Sequence, residues 1–355
     1  MTKQAFFTKN LLAWDTGEND RVMPWKGIKN PYFIWLSEII LQQTRVEQGL
    51  PYYEKFTKKY PKVGDLAAAP EDEIMKMWQG LGYYSRARNL HSAAKSIVEE
   101  NDGEFPTTYA DIRKLKGVGD YTAAAIASFA FDLPHAVLDG NVYRVLSRFF
   151  GIATPIDSTD GKKEFAKLAQ ELIDEEQAAK YNQAIMDFGA KQCSPAKPLC
   201  MFCVFQRKCS AFLEGKTGEL PVKSKKIIKK ERFFYYLVVQ KGKYLYLTKR
   251  KNKDIWQNLY DFPLIETKQA INGKELAENI DKQLKHSYFS IKNISDNYKQ
   301  LLTHQKITAV FVELTVKTLP KTVTEDWTKV ELKDLGSYGF PKIIDRYIKD
   351  KSLIS

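Results

Sequence analysis

Leu115-Lys116-Gly117-Val118-Gly119-Asp120-Tyr121-Thr122 is the stretch on which the reading of this chain turns. Two glycines one residue apart let the backbone turn tightly and aim bare N–H groups outward. At a helix start such donors form a site for a phosphate group. The stretch follows a helix expected over Thr108–Leu115 and opens another of small residues, Thr122–Ala127. Two helices joined in this way make a helix-hairpin-helix, which grips the DNA backbone at Gly117, Val118 and Gly119 without reading sequence. Gly-x-Gly alone is also an ordinary helix–helix turn, so its surroundings have to decide.

Outward from the hairpin, residues 1–213 read as helix after helix. Apolar residues recur at helical spacing in Ala5–Trp14, Ile34–Val46, Ile74–Leu81, Ala87–Val98, Tyr121–Phe131, Val142–Phe150, Phe165–Glu175 and Asn182–Gly189, and strand signals are nearly absent. Composition then shifts: Lys216–Arg232 carries seven basic and two acidic residues with Gly218 and Pro221, which suits a solvated linker over 214–231. Beyond it, Arg232–Val239, Lys243–Arg250 and Lys306–Val316 are rich in aromatic and β-branched residues, as strands are. Gln240-Lys241-Gly242 reads as a hairpin loop. Lys274–His286 and Pro341–Asp350 read as helices, which makes 232–355 an α+β domain and the whole chain multidomain.

The 355 residues hold 55 Lys+Arg against 43 Asp+Glu, a net charge of +12, so a polyanionic partner is expected. With 44% hydrophobic and 28% charged residues the chain is an ordinary globular one rather than a disordered one. No run approaches the ~18 apolar residues of a membrane span. The start, MTKQAFFTKNLLAWD, lacks a secretory pattern. All four cysteines lie in Cys193-x6-Cys200-x2-Cys203-x5-Cys209. Such clustering favours a metal site in a reducing compartment over scattered disulfides. Four thiolates suit a soft metal centre or a structural zinc. Zinc usually takes two separated C-x2-4-C pairs, which this spacing does not reproduce. Free thiols and a disulfide are the plainer options.

Glu38 stands in Ile34-Trp35-Leu36-Ser37-Glu38-Ile39-Ile40-Leu41, otherwise almost wholly apolar. A helix hydrophobic nearly all round is buried, and a carboxylate carried into it prefers to stay protonated. A protonated carboxylic acid at neutral pH is suited to general acid catalysis. The plainer alternatives are that Glu38 reaches the surface or pairs with Arg45.

The hairpin, the following Leu138-Asp139-Gly140-Asn141-Val142 and the closing cysteine run together resemble the endonuclease III superfamily of base-excision DNA glycosylases. The resemblance implies that Cys193, Cys200, Cys203 and Cys209 hold a 4Fe–4S cluster, which thiolates ligate. The lysine nucleophile of the bifunctional branch falls two residues after the second glycine, where this chain has Tyr121, so the strand-cleaving Schiff base loses its amine. Ser37–Val46, Pro24-Trp25, Gly80–Leu90 and Asn182–Ala190 resemble the adenine DNA glycosylase family. That likeness implies Glu38 as the catalytic acid and Asp139 as the second carboxylate, stabilising or trapping the sugar cation. Tyr121 and Asn141 would orient them. Glycosylases extrude the target nucleotide, and Gln42 and Tyr83 fill the wedge positions of the family, with Arg86 a candidate phosphate ligand and Trp25 a candidate wall of the base pocket. The plainer readings are an N-cap for Asp139, core packing for Tyr83 and Trp25, and a solvated helix charge for Arg86.

The second domain resembles the Nudix-like module of that family. Gly273–Ile280 lacks the Arg-Glu-x-x-Glu-Glu box of an active Nudix hydrolase, so hydrolysis is not expected. Leu302-Thr303-His304 stands where the family has Phe-Ser-His against 8-oxoguanine, and Thr303 keeps the hydroxyl. An ordinary turn before a strand is the alternative. The expected activity is monofunctional excision of adenine opposite 8-oxoguanine, and also opposite guanine, in double-stranded DNA, by a monomer in the bacterial cytoplasm, at the nucleoid, with a sliding clamp as a candidate partner. The rivals are another mismatch or pyrimidine glycosylase of the superfamily, and a non-catalytic iron–sulfur DNA-binding protein.

Overall fold

The structure, a computed structural model, describes residues 1–224 and 228–353. Residues 225–227 of the expected linker therefore lie outside the described residues. The chain divides into two compact units, with breaks at 67/68, at 91/92 and between 224 and 228.

The first unit is helical. Its long helices are Lys3–Gly17, Pro31–Leu41, Val46–Lys59, Asp120–Phe131, Gly140–Phe150, Thr159–Leu172 and Ala178–Lys191. Their starts follow local chemistry. Asn30 caps the second through the amides of Tyr32 and Phe33, with Pro31 in the first turn, and Ser158 caps the sixth through Gly161. The core gathers Phe7, Trp14, Phe149, Phe188 and Phe205, all almost fully buried. Phe205 lies between two of the cysteines and stacks on Phe7 at 4.7 Å, so the cysteine loop is seated on this core.

Two expected helices end earlier. The one expected over Ile34–Val46 stops at Leu41, because Gln42 turns extended and Gln43 takes a φ of 55°; Val46 begins a separate helix. The one expected over Ile74–Leu81 is Glu71–Met77, with Gly80 and Gly82 at positive φ beyond it.

All described strands lie in the second unit: β1 (Lys230–Lys241), β2 (Tyr244–Lys249), β3 (Tyr260–Asp261), β4 (Leu264–Thr267), β5 (Phe289–Ile294), β6 (Tyr298–Leu301), β7 (Gln305–Val316) and β8 (Trp327–Glu331). Long β1 pairs in parallel with β7, Lys230 opposite Gln305 through Val239 opposite Leu314. On its other side β1 takes antiparallel β4, and its far end turns into β2 through Gly242-Lys243, so the hairpin loop sits later than expected. β5 and β6 follow one another along the outer side of β7. The helix Gly273–Gln283 covers one face through Leu276 and Ile280. Residues 68–91 pack with this sheet-bearing unit.

Candidate active site

The first unit carries a cavity of about 1510 Å³, lined among others by Trp25, Glu38, Gln42, Gly117, Gly119, Tyr121, Asp139 and Asn141. Glu38 hangs from the largely apolar helix Pro31–Leu41, is 7% exposed, and does not pair with Arg45. The Tyr121 hydroxyl donates to its Oε2 at 2.7 Å. Burial drives the Glu38 carboxyl up to about 7; the Tyr121 bond pulls it down and the nearby Asp139 charge pushes it up again. Tyr121 itself is held well above the usual phenol range, mainly by burial.

Asp139 is the N-cap of Gly140–Phe150. Its Oδ1 accepts from the amides of Asn141 and Val142, both at 2.8 Å, and its Oδ2 from Asn141 Nδ2 at 2.8 Å. Burial raises its pKa and these three bonds oppose the rise. Asn141 is held in turn: Arg144 Nη2 donates to its Oδ1 at 2.9 Å and to the Gly189 carbonyl at 2.6 Å, while Arg144 Nε donates to the Cys193 carbonyl. Gly189 is needed there, since a Cβ would stand 2.7 Å from that of Asn141. The cap and the cavity-lining carboxylate are thus the same residue.

The hairpin forms between Tyr109–Lys114 and Asp120–Phe131. Gly117 has φ +83°, a conformation that favours glycine; Val118 turns into the core and Gly119 caps the second helix. Gln42 donates to Thr122 Oγ1 at 3.2 Å, and Trp25 packs edge-on against Tyr53 in the cavity wall. One cluster was missed in the sequence. Asp187, fully buried, receives Arg21 at 2.7 Å, Lys26 at 3.1 Å, Asn19 and Gln183, and of these donors Arg21, Lys26 and Gln183 also line the cavity. A lone acid within Asn182–Ala190 was its only signal.

Cys193, Cys200, Cys203 and Cys209 line one small, apolar cavity, and Arg148 Nη1 lies 3.4 Å from Cys193 Sγ. Burial pushes the Cys203 thiol up to about 12. Among the described residues no three His, Cys, Asp or Glu are set to hold a single metal ion.

In the second unit Tyr83, at φ 47° and 44% exposed, shares a 2.5 Å hydrogen bond with Thr303. Leu302-Thr303-His304 form the turn between β6 and β7, closed by the Leu302 amide on the Gln305 carbonyl. Arg86, expected at a phosphate, is instead 8% exposed: its guanidinium donates to the Gly82 carbonyl and lies over the Trp78 and Tyr83 rings. Desolvation lowers its pKa to about 10.

Residues 36–175 match the HhH-GPD superfamily of base excision DNA repair proteins, and residues 234–350 match the NUDIX domain. The adenine DNA glycosylase of Buchnera aphidicola subsp. Baizongia pistaciae is 37% identical over 306 residues, covering 86% of this chain and 84% of that protein. That of Buchnera aphidicola subsp. Schizaphis graminum is 32% identical over 345 residues, covering 97% and 98%. The mouse adenine DNA glycosylase is 42% identical over 223 residues, 60% of this chain and 43% of that one. A thermostable thymine-DNA glycosylase structure aligns at a TM-score of 0.56 with 31% identity, over 60% of this chain and 97% of that one. An endonuclease III in a non-covalent DNA complex shares the fold at 0.53 with 22% identity, over 61% and 98%. With relatives matched through nearly their full length and across both units, the chain belongs to the adenine DNA glycosylase family.

Proposed function

We propose that the protein excises adenine standing opposite 8-oxoguanine, and also opposite guanine, in double-stranded DNA, by hydrolysing the N-glycosidic bond without cutting the strand. The observation that carries this reading is a buried glutamate, its carboxyl pushed by burial up to about 7, lining a cavity large enough for an extruded nucleotide. Glu38 gives its proton to adenine N7, so the base leaves neutral. The sugar is left with oxocarbenium character, and Asp139, fixed by three hydrogen bonds, faces that charge as the stabilising or trapping carboxylate. Asn141 orients Asp139, and Tyr121 orients Glu38. No amine stands at position 121, so strand cleavage through a Schiff base has no agent.

The hairpin Gly117-Val118-Gly119 binds the DNA backbone. At Gly119, the N-cap of the second helix, no chain atom lies within 4 Å of an added Cβ, so the hairpin is open there to the close approach of a phosphate. Gln42 and Tyr83 serve extrusion, with Arg86 supporting the Tyr83 ring rather than touching phosphate. Leu302, Thr303 and His304 meet the oxidised base. The four cysteines would hold a 4Fe–4S cluster: all four line one small apolar cavity, and thiolates are the ligands such a cluster takes. Bound there, the cluster would cross-link the loop to the core. We assign the protein to the bacterial cytoplasm, at the nucleoid, as a monomer; no described helix is long and apolar enough to span a membrane. A sliding clamp remains a candidate partner.

Duplexes carrying adenine opposite 8-oxoguanine, guanine or thymine test the proposal. Free adenine should appear from the first two, with strand breaks only after alkali. Release of thymine instead would favour the rival suggested by the thymine-DNA glycosylase likeness. A visible absorption band of iron–sulfur thiolate, lost on replacing the cysteines, tests the cluster.

A further inference from the structure

Asp139 is anchored downstream by its own helix, whereas upstream it hangs from residues 133–138, which belong to neither helix nor strand. The His135 amide turns back onto the Leu133 carbonyl at 2.8 Å, and four further backbone groups of the segment are held by two side-chain amides standing in for neighbouring peptides. On one edge the exposed Gln170 accepts from the Ala136 amide at 3.1 Å and donates to the Pro134 carbonyl at 2.8 Å. On the other, Asn182 accepts from the Val137 amide at 3.1 Å and donates to the His135 carbonyl at 2.8 Å. The backbone groups of 134 and 136 are thus held by Gln170, and those of 135 and 137 by Asn182.

The two amides are not equivalent. Water can take over from Gln170, but Asn182 is fully buried, so its loss strands a backbone donor and acceptor. Asn182 Nδ2 also donates to Ser128 Oγ at 2.9 Å, and Ser128, equally buried, bonds the Ala125 carbonyl of its own helix. That helix, Asp120–Phe131, carries Tyr121 in its first turn. One side chain therefore ties the segment that delivers Asp139 to the helix that delivers the partner of Glu38.

We propose that Asn182 is a positioning residue that sets the Asp139 carboxylate relative to the Tyr121–Glu38 pair. The inference rests on the catalytic reading of those three groups. A displacement of about 1 Å at a reacting group costs on the order of 10²-fold in rate, so Asn182→Ala should lower single-turnover excision by about 10- to 100-fold. Affinity for a duplex carrying a non-hydrolysable 2′-fluoro adenosine analogue opposite 8-oxoguanine should stay within about threefold, because the hairpin is untouched. Gln170→Ala should change the rate by less than about threefold.

Rate and affinity together separate positioning from mere structure, since a folding defect lowers the active fraction and leaves the folded molecules at the normal rate. An Asn182→Ala protein whose active fraction excises normally overturns the inference. Should that variant fail to fold, isosteric Asn182→Asp, which keeps the acceptor for Val137 and loses an N–H, decides. A rate loss above about threefold at unchanged affinity supports the inference, and an unchanged rate overturns it. Asp139→Asn measured alongside tells the two failures apart. Normal excision by Asp139→Asn removes the catalytic reading itself; a dead Asp139→Asn beside an active Asn182→Ala removes only the role of Asn182.

Discussion

Glu38 in the helical unit is buried and Asp254 in the sheet-bearing unit only half-buried, and burial pushes both carboxyls up, yet they end in opposite states. Glu38 is surrounded by apolar helix and a phenol, with no Lys or Arg paired to it among the described residues, and its pKa rises to about 7. Burial pushes Asp254 up as well, yet it meets the Arg232 guanidinium at 2.7 Å and Arg250 at 2.9 Å and is held below the usual carboxylate range. Arg232 also grips Glu266 at 2.7 Å and lies over the Phe234 ring. The difference lies in company and burial together: Glu38 is 7% exposed with no cation, whereas Asp254 is about a third exposed and has two. A carboxylate left without a cation keeps a proton it can deliver, and one given two guanidinium groups becomes part of the scaffold.

The largest effect expected from this contrast is at Glu38. Glu38→Gln removes the proton donor and should cost at least the ~10²–10⁴-fold of general acid catalysis, with duplex binding kept. Near-normal single-turnover excision by this variant would break the comparison at its strongest point. Because the folded pKa lies above the ordinary value, the fold is most stable with Glu38 protonated, and that stability drains away as pH rises from about 4.5 to about 7. Glu38→Gln should therefore flatten stability across that window, gaining on the order of 3 kcal/mol at alkaline pH.

Arg232→Ala comes next. It leaves Asp254 and Glu266 facing each other without their shared cation, and strips a bond from Gln305. Breaking a buried pair costs roughly 3–5 kcal/mol; these carboxylates are about a third exposed, so about 2 kcal/mol is expected in urea unfolding of the full chain. The pH sign is opposite to that of Glu38: the Asp254 contribution is present above the ordinary carboxylate range and is lost as pH falls through its lowered value. A loss under about 0.5 kcal/mol would mean that the guanidinium is a spectator.

Tyr121→Phe sharpens the comparison through pH. Excision should decline as pH rises through about 7, where Glu38 gives up its proton. The Tyr121 hydroxyl stabilises the carboxylate, so its removal should move that decline to higher pH while lowering the maximum rate. A shift to lower pH would show that the hydroxyl does not favour the ionised form.

What could be read from the sequence follows from how local each cause is. Glycines one apart announce the hairpin because positive φ at Gly117 is a local demand. An acid in an apolar helix announces Glu38 for the same reason. The end of that helix was illegible, since Gln42-Gln43-Thr44-Arg45 holds no breaker, and Gln43 turns left-handed without the glycine or asparagine that would signal it. Illegible too were contacts made at long range. Asp187 meets Arg21 and Lys26 more than 160 residues away, Arg86 turns inward onto two rings, and β1 finds its parallel partner only at residue 305. The short strands β3, β4, β6 and β8 carry too few residues for alternation to show.

The smallest effect should come from an ion pair that shares the geometry of Arg232–Asp254 but not its burial. Lys249 Nζ lies 2.6 Å from Asp72, with side chains 31% and 47% exposed. Water solvates both ends, the lysine loses rotamer freedom on pairing, and Asp72 keeps a second donor in the Tyr260 hydroxyl at 3.0 Å. Lys249→Ala should therefore cost less than about 1 kcal/mol in unfolding, and less still as salt is raised. A loss equal to that of Arg232→Ala would show that distance, rather than access to water, ranks these pairs. The contrast between Glu38 and Asp254 would then need a cause other than the cations each is given.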